Sequence, residues 1–403
     1  MKVAVIGGGA AGFFSAINAK ENFPDAEVSI LEKSQKILAK VKISGGGRCN
    51  VTNSATSIKE LCAGYPRGTK AMKKLLPTFG TKETTEWFES RGVPLYGQED
   101  TRVFPKSDNS QSIIDVLLTE CEKLGVAIKM GCDVATIDPV ESGFTLQIKG
   151  GQTMSFDKVI IASGGSPKTS GLDWLADLGH KIEPSVPSLF TFNMPSEKIT
   201  AMMGLSVETA LVHVQGSKLN SFGPLLVTHW GMSGPAVLKL SSFGARELAD
   251  LNYEFKVQVN WTGIQNHDEV HEDLMSLEKI HGGKMLVNMR PFALPERLWL
   301  YLLNRADLDG NKPMRELGRK NRNKLVNAMT NDVYEVKGKT TFKEEFVTCG
   351  GVSWVSVNPK TMESRVLPGL YFSGEVLDVD GVTGGFNFQA AWTTGFVAGK
   401  LSS

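Results

Sequence analysis

Glu32, Arg48, Cys49, His229 and Glu375 are the side chains of this 403-residue chain whose types and settings suit chemistry. Glu32 lies about 20 residues past Gly7-Gly8-Gly9-Ala10-Ala11-Gly12, where a carboxylate can accept both ribose hydroxyls of an adenosine. Glu375 follows a strand-like run and precedes a second glycine turn, so it, or Asp378, could hold ribityl hydroxyls. Arg48 follows three glycines and could neutralise a phosphate or grip an anionic substrate bidentately. Cys49 invites a redox role; the plainer reading is a small buried packing residue, and no partner cysteine stands near it. His229 can titrate near neutrality and is the candidate general acid or base; the plainer reading is a structural corner.

Such groups need elements to aim them. Val3 to Ile6 is a short apolar run that enters the glycines, and an Ala-rich helical segment follows. A second strand-like run, Val28 to Leu31, ends on Glu32, with Lys33 beside it. Gly7 permits the tight turn, Gly9 lets the backbone approach a pyrophosphate, and Gly12 lets the helix pack close to the strand. The N–H groups of Ala10, Ala11 and Gly12 open the helix, where the dipole favours negative charge. The alternative is a glycine-rich turn in an ordinary α/β unit. Strand, turn, helix, spacing and acid together favour a dinucleotide.

The far end of the chain indicates which one. Residues 369–399 read as a strand, Leu370 to Ser373, then Gly374-Glu375, a glycine turn from Gly381 to Gly385, and an apolar helix from about Asn387 to Leu401. The helix start at Gly385-Phe386-Asn387 could offer N–H groups to the electron-rich edge of a flavin. An NAD enzyme has no need of this second grip, so the pair of segments argues for FAD. Asp157 to Gly165 adds a buried-strand pattern whose end, Ala162-Ser163-Gly164, should return near the pyrophosphate. Before it, Asp133 to Asp138, Gly143 to Lys149 and Gln152 to Phe156 read as a three-stranded meander. By analogy with FAD-binding folds, the backbone of Val134 is a candidate adenine contact.

KVKISGGGRCNVTN at 40–53, THWGMSGPAVL at 228–238 and GEVLDVDGVTGGFNFQAAW at 374–392 carry a family resemblance along essentially the whole chain. The sequence resembles the bacterial NAD(P)/FAD-dependent oxidoreductases that include aminoacetone oxidase-like proteins and the BaiN bile-acid reductases. The resemblance implies an α/β fold: a doubly wound, glutathione-reductase-type FAD domain interrupted by a β-barrel with a small helical bundle. The residues agree. Leu189 to Asn193, Val207 to Gln215, Phe222 to Thr228 and Tyr253 to Asn260 alternate like strands. His267 to His281, Pro295 to Asn304 and Lys312 to Met329 read as helices, and strand character resumes over Thr341 to Val347. The expected division is an FAD domain at 1–187 and 341–403 and an insert at 188–340, with barrel at about 188–262 and helices at about 263–330.

Ser44-Gly45-Gly46-Gly47-Arg48-Cys49-Asn50 should form a loop that passes the pyrophosphate and approaches the flavin, with Asn50 a possible donor to it. Lys40 and Lys42 either line that loop or are solvated. Trp354, Phe386, Phe388 and Trp392 wall a pocket or belong to the core. Arg315, Arg319, Lys320, Arg322 and Lys324 form a basic helical run, read as a solvated face or as a surface for RNA. His267 and His271 are four apart, but no further ligands complete a metal site, so none is expected.

Lys plus Arg is 44 against 43 for Asp plus Glu, which argues against nucleic acid and anionic membranes as partners. No ~20-residue apolar run or signal pattern is present, and the five cysteines are scattered without CxxC, so a reduced cytoplasmic enzyme is expected. The expected activity is FAD-dependent hydride transfer to or from a small organic substrate bound in a cleft between sheet and insert. No second GxGxxG stands in a strand–helix setting, so NAD(P)H would be a transient donor. A flavin amine oxidase using oxygen, an RNA-associated flavoprotein and a redox sensor are the other readings. The substrate and the oligomeric state are not legible.

Overall fold

The computed structural model describes residues 1–341 and 347–401. They fold as two compact units, Met1–Ser188 with the described residues from Val347 onward, and Leu189–Thr341.

The first unit is built on a five-stranded sheet in the order Leu370–Phe372, Lys158–Ile161, Lys2–Ile6, Glu27–Glu32, Ala127–Met130. Every pairing in it is parallel. Val3, Val5, Ile30, Val159, Ile160 and Ile161 are buried, as expected where helices cover both faces of a parallel sheet. Ile6 is in register with Leu31 and Ile161, so three strands end together at one edge. The meander forms as Val134–Val140, Gly143–Ile148 and Thr153–Phe156. The helix Ala10–Asn22 packs on the last helix, Phe386–Ala398. A Cβ on Gly399 would come within 2.6 Å of the Asn18 side chain, so the two backbones approach closely there.

His180 is buried in this unit against Phe372, at 5.0 Å between ring centroids. Its Nδ1 faces the Leu175 carbonyl at 3.1 Å and its Nε2 the Ser364 hydroxyl at 2.8 Å. Burial holds its pKa below the usual histidine value. The unfolded chain therefore binds the proton more readily, and stability present at neutral pH is lost as pH falls below about 6.5. The urea midpoint of the wild type is expected to fall between neutral and mildly acidic pH. His180→Gln should flatten that fall; an unchanged slope would show that other groups set it.

In the second unit a seven-stranded sheet runs in the order Asp332–Lys337, Glu254–Asn260, Ser206–Val214, Asn220–Thr228, Gly231–Ser233, Thr191–Asn193, Lys339–Thr340. Its first and last members are consecutive in the chain, joined through Gly338 at φ 98°. The sheet therefore closes on itself as a barrel. Alternation points Val212, Val214, Val257 and Val259 into the core and Leu211, His213, Gln258 and Asn260 to the other face. Asp332 opens the closing segment and accepts from Trp261 Nε1 at 3.0 Å, from the Tyr334 hydroxyl and from the Arg305 guanidinium.

Two expectations change. The barrel is not confined to 188–262, because residues 332–340, beyond the helices, complete it. The helix expected over Lys312 to Met329 is a short turn, Met314–Glu316, followed by a helix at Gly318–Thr330, because Gly318 takes φ +60° between them. His267–His281 forms as one helix. Of the strand expected over Thr341 to Val347, residues 342–346 lie outside the described residues, and a strand runs over Val347–Val352.

Candidate functional site

The parallel edge positions the first fingerprint. Gly7 N donates to the Leu31 carbonyl at 2.8 Å, and Gly8 N donates to Glu32 Oε2 at 2.7 Å. Glu32 Oε1 accepts from Ser34 N at 2.8 Å. The carboxylate thus fixes the turn, and its remaining lone pairs can still accept ribose hydroxyls. A Cβ on Gly12 would overlap the Gly7 carbonyl oxygen, so the helix sits against its own entering turn. Gly9 differs: a Cβ there meets nothing within 4 Å. It precedes the first helical residue, no side chain caps the helix, and no acidic residue stands in its first turn. The space at Gly9 lies where this uncapped helix begins, a setting suited to phosphate.

The distant segments converge on this turn. A Cβ on Gly374 would come within 2.6 Å of Ala11 Cβ, and Ser15 and Ser373 share a hydrogen bond of 3.0 Å. Lys40 Nζ meets Glu375 Oε2 at 2.6 Å, and Thr348 N donates to Glu375 Oε1 at 2.9 Å. Gly165 lies over this pair, since its Cβ would be 2.8 Å from Glu375 Oε1 and 2.7 Å from Thr348 Oγ1. The Thr348 hydroxyl is buried without a hydrogen-bond partner among the described residues. The open space at Gly9, the exposed Ser163 at the end of its strand and the unsatisfied Thr348 hydroxyl are features that a bound nucleotide could fill and satisfy. Ala162, just before Ser163, is buried. A lone threonine in a strand carries no sequence signal that would single it out.

The segment after Glu32 is not a simple loop. Ala39–Gly47 starts as a helical turn and unwinds at Ser44, after which Gly45, Gly46 and Gly47 take φ of 58°, 69° and 85°. These left-handed values suit glycine, and a Cβ on Gly46 or Gly47 would meet nothing within 4 Å. Arg48 lies 4.2 Å over the Phe104 ring and 3.9 Å from Asp108. Asn50 Oδ1 accepts from Val103 N at 3.3 Å. Lys42 reaches Gln111 at 2.8 Å. Cys49 is fully buried, and burial pushes its thiol up to about 12. A neutral, enclosed thiol is a packing group, so the redox reading of Cys49 gives way to the plainer one.

At the last helix, Gly385 takes φ 88° and lies against the Thr52 backbone. Phe386 is buried, and its carbonyl accepts from the Tyr65 hydroxyl at 2.8 Å. The Asn387 side chain bonds Gly381 N at 2.8 Å and Gly381 O at 3.0 Å. It staples the glycine turn, so its side-chain amide is engaged within the protein. Trp392 is core, donating to the Val51 carbonyl at 2.9 Å, with Phe388 stacked on it. Trp354 Nε1 donates to the Asp378 carbonyl at 2.9 Å. Val134 starts the meander two residues after Cys132, whose N–H donates to the Glu32 carbonyl at 2.8 Å. His229 lies in the second unit, exposed at the two-residue turn between Asn220–Thr228 and Gly231–Ser233. Its ring contacts Trp230 at 4.2 Å, and a helix begins at Pro235, as a structural corner would have it. Glu32→Ala is expected to weaken FAD retention far more than His229→Ala, read as bound flavin per protein after gel filtration. Equal retention would refute this assignment of roles.

A parallel sheet with a glycine turn, an uncapped helix start and an acid at the end of the second strand is the arrangement of a Rossmann-type nucleotide-binding domain. Comparison with known proteins carries this to a family. The description "HI0933-like protein Rossmann domain" matches residues 1–401, and the chain belongs to this HI0933-like family. It is 29% identical over 411 residues to the 3-dehydro-bile acid delta(4,6)-reductase of Clostridium scindens, covering 100% of this chain and 99% of that one. It is 29% identical over 409 residues to the ribosomal RNA dihydrouridine synthase of Escherichia coli, covering 98% and 96%. The 3-ketosteroid-delta4-(5alpha)-dehydrogenase of Rhodococcus jostii RHA1 shares the fold, with TM-score 0.51, 13% identity and coverage of 98% and 96%.

Proposed function

We propose that this protein is an FAD-dependent reductase that delivers hydride to a carbon–carbon double bond conjugated with a carbonyl group. Bound FAD supplies hydride exchange at its N5 position. The observation that carries the reading is the contact of Ala11 with Gly374 beside Glu375, which makes one cradle of the two fingerprints. The names of the relatives support the substrate class. A 3-oxo bile acid unsaturated at positions 4 and 6 and a uridine base both offer a double bond conjugated with a carbonyl. NAD(P)H is proposed as a donor that visits the substrate side, since no second dinucleotide fingerprint stands in the chain.

A specific observation favours RNA as the carrier of that double bond. Arg315, Arg319 and Lys320 are exposed together where the basic helix begins, so the near-zero net charge hides a local cluster. The test is anaerobic. Bound flavin is reduced with NADH or NADPH, then reoxidised with a conjugated steroid enone or with unmodified ribosomal RNA. A product that has gained two hydrogens by mass spectrometry supports the reading. A colourless protein, or peroxide made from an amine without NAD(P)H, would overturn it.

A further inference from the structure

We propose that the second unit holds a subsite for unpaired RNA: phosphates on Arg319 and Lys320 where the helix Gly318–Thr330 begins, and a nucleobase in an amide-lined cavity at its other end. The inference rests on the RNA reading above.

The cavity follows from strand register. Leu211 pairs with Asn260 and His213 with Gln258, and alternation sends all four side chains to the face away from the barrel core. Asn327, Thr330 and Asn331 at the helix end, with Gln265 and His267, enclose a cavity of about 290 Å³ over them. No Asp, Glu, Lys or Arg lines it, and Leu211 is its one aliphatic wall. His213 Nδ1 faces the Leu219 carbonyl at 3.1 Å, which can only accept, so that nitrogen donates and Nε2 is left for a ligand. Gln258 and Gln265 each add an amide that both donates and accepts. Asn260 is a staple, bonded to the Ile264 carbonyl at 2.8 Å and to Thr262 N at 3.0 Å. Amide and hydroxyl donors and acceptors suit the edge of a nucleobase better than a carboxylate or a large apolar ring system.

The helix links this cavity to positive charge. Arg319, Asn323, Asn327 and Asn331 follow one another four residues apart, all exposed, along a ridge of ~18 Å. Arg322 is tied to Glu278 at 2.6 Å and Lys324 lies 3.6 Å from Asp307. Arg319 and Lys320 have no ion-pair partner among the described residues. The histidine pair also finds a place: His271 Nε2 meets Asn323 Oδ1 at 2.9 Å, and His267, one turn earlier, lines the cavity. Charge at one end and amide groups at the other match a strand of phosphates and bases. An acidic peptide would bring carboxylates to a cavity with no Lys or Arg in its lining.

The experiment measures fluorescence anisotropy of a short, labelled, unpaired uridine-containing RNA with the FAD-loaded full-length protein over a salt series. Arg319→Ala/Lys320→Ala should weaken binding and reduce the log–log salt slope by about 1.4, or ~0.7 per lost phosphate contact. Gln258→Ala/Asn327→Ala should weaken binding about tenfold at unchanged slope. Gln265→Ala, on an exposed loop, tests the cavity without touching the barrel. Flavin content and circular dichroism report folding. Wild type that binds while both cavity variants bind equally well overturns the subsite and leaves the RNA reading standing. Wild type that fails to bind at about 50 mM salt overturns both, and leaves the small-molecule reductase untouched.

Discussion

Gly9→Val protein is expected to fold normally and to purify without flavin colour. Gly9 takes φ −95° and ψ −174°, extended values open to any side chain, and its Cβ would meet no protein atom within 4 Å. Nothing in the apoprotein resists the change, so unfolding stability should stay within about 0.5 kcal/mol of wild type. The new methyls would occupy the space over the first-turn N–H groups. Displacing phosphates from two charge-assisted hydrogen bonds costs about 3–6 kcal/mol, a fall in FAD affinity of roughly 100-fold or more. Calorimetric titration of apoprotein with FAD measures it. A variant that keeps a full complement of flavin would sink the proposed phosphate position. Gly12→Val is the contrasting case: its side chain would strike the Gly7 carbonyl, and the loss should be of folding itself.

The second large effect is expected at Asp380, which is fully buried. Arg67 grips it through Nε at 2.6 Å and through its second nitrogen, and the Ser188 hydroxyl donates to it at 2.7 Å. Asp380→Ala would leave the Arg67 guanidinium, itself 9% exposed, without its counter-charge. Breaking such a buried pair costs about 3–5 kcal/mol, whereas replacing both partners with apolar residues costs far less. Urea unfolding of Asp380→Ala should show that loss, and Arg67→Met/Asp380→Leu should recover most of it. Because Asp380 leads into the Gly381 turn stapled by Asn387, flavin retention should fall with stability in the single variant. A single variant within about 1 kcal/mol of wild type would show that the pair does not hold this turn.

The strand–turn–helix–strand unit was legible from residue order because Gly7, Gly12 and Glu32 depend on short-range geometry: Gly12 packs on the Gly7 carbonyl and Glu32 accepts from Gly8 N. The C-terminal motif was legible as a strand, a glycine turn and an apolar helix, but not the partners of its side chains: Glu375 meets Lys40, and the Asn387 amide bonds Gly381. Arg67 and Asp380 escaped notice because their meaning lies in a pairing across 313 positions. The barrel boundary was misjudged for the same reason: Asp332–Lys337 alternates too briefly to announce that it closes the sheet.

By itself the sequence determined the strand–turn–helix–strand unit, the choice of a long flavin nucleotide and the presence of two differently patterned regions. Periodicity and glycine spacing are local properties, written directly in residue order. Tertiary structure alone decided that Cys49 is a neutral packing thiol, that the Thr348 hydroxyl is buried without a partner among the described residues and that outward residues of two barrel strands share a cavity with a helix end. Burial fixes a thiol's ionisation and strand register fixes which side chains are neighbours, and both depend on packing between residues far apart in the chain.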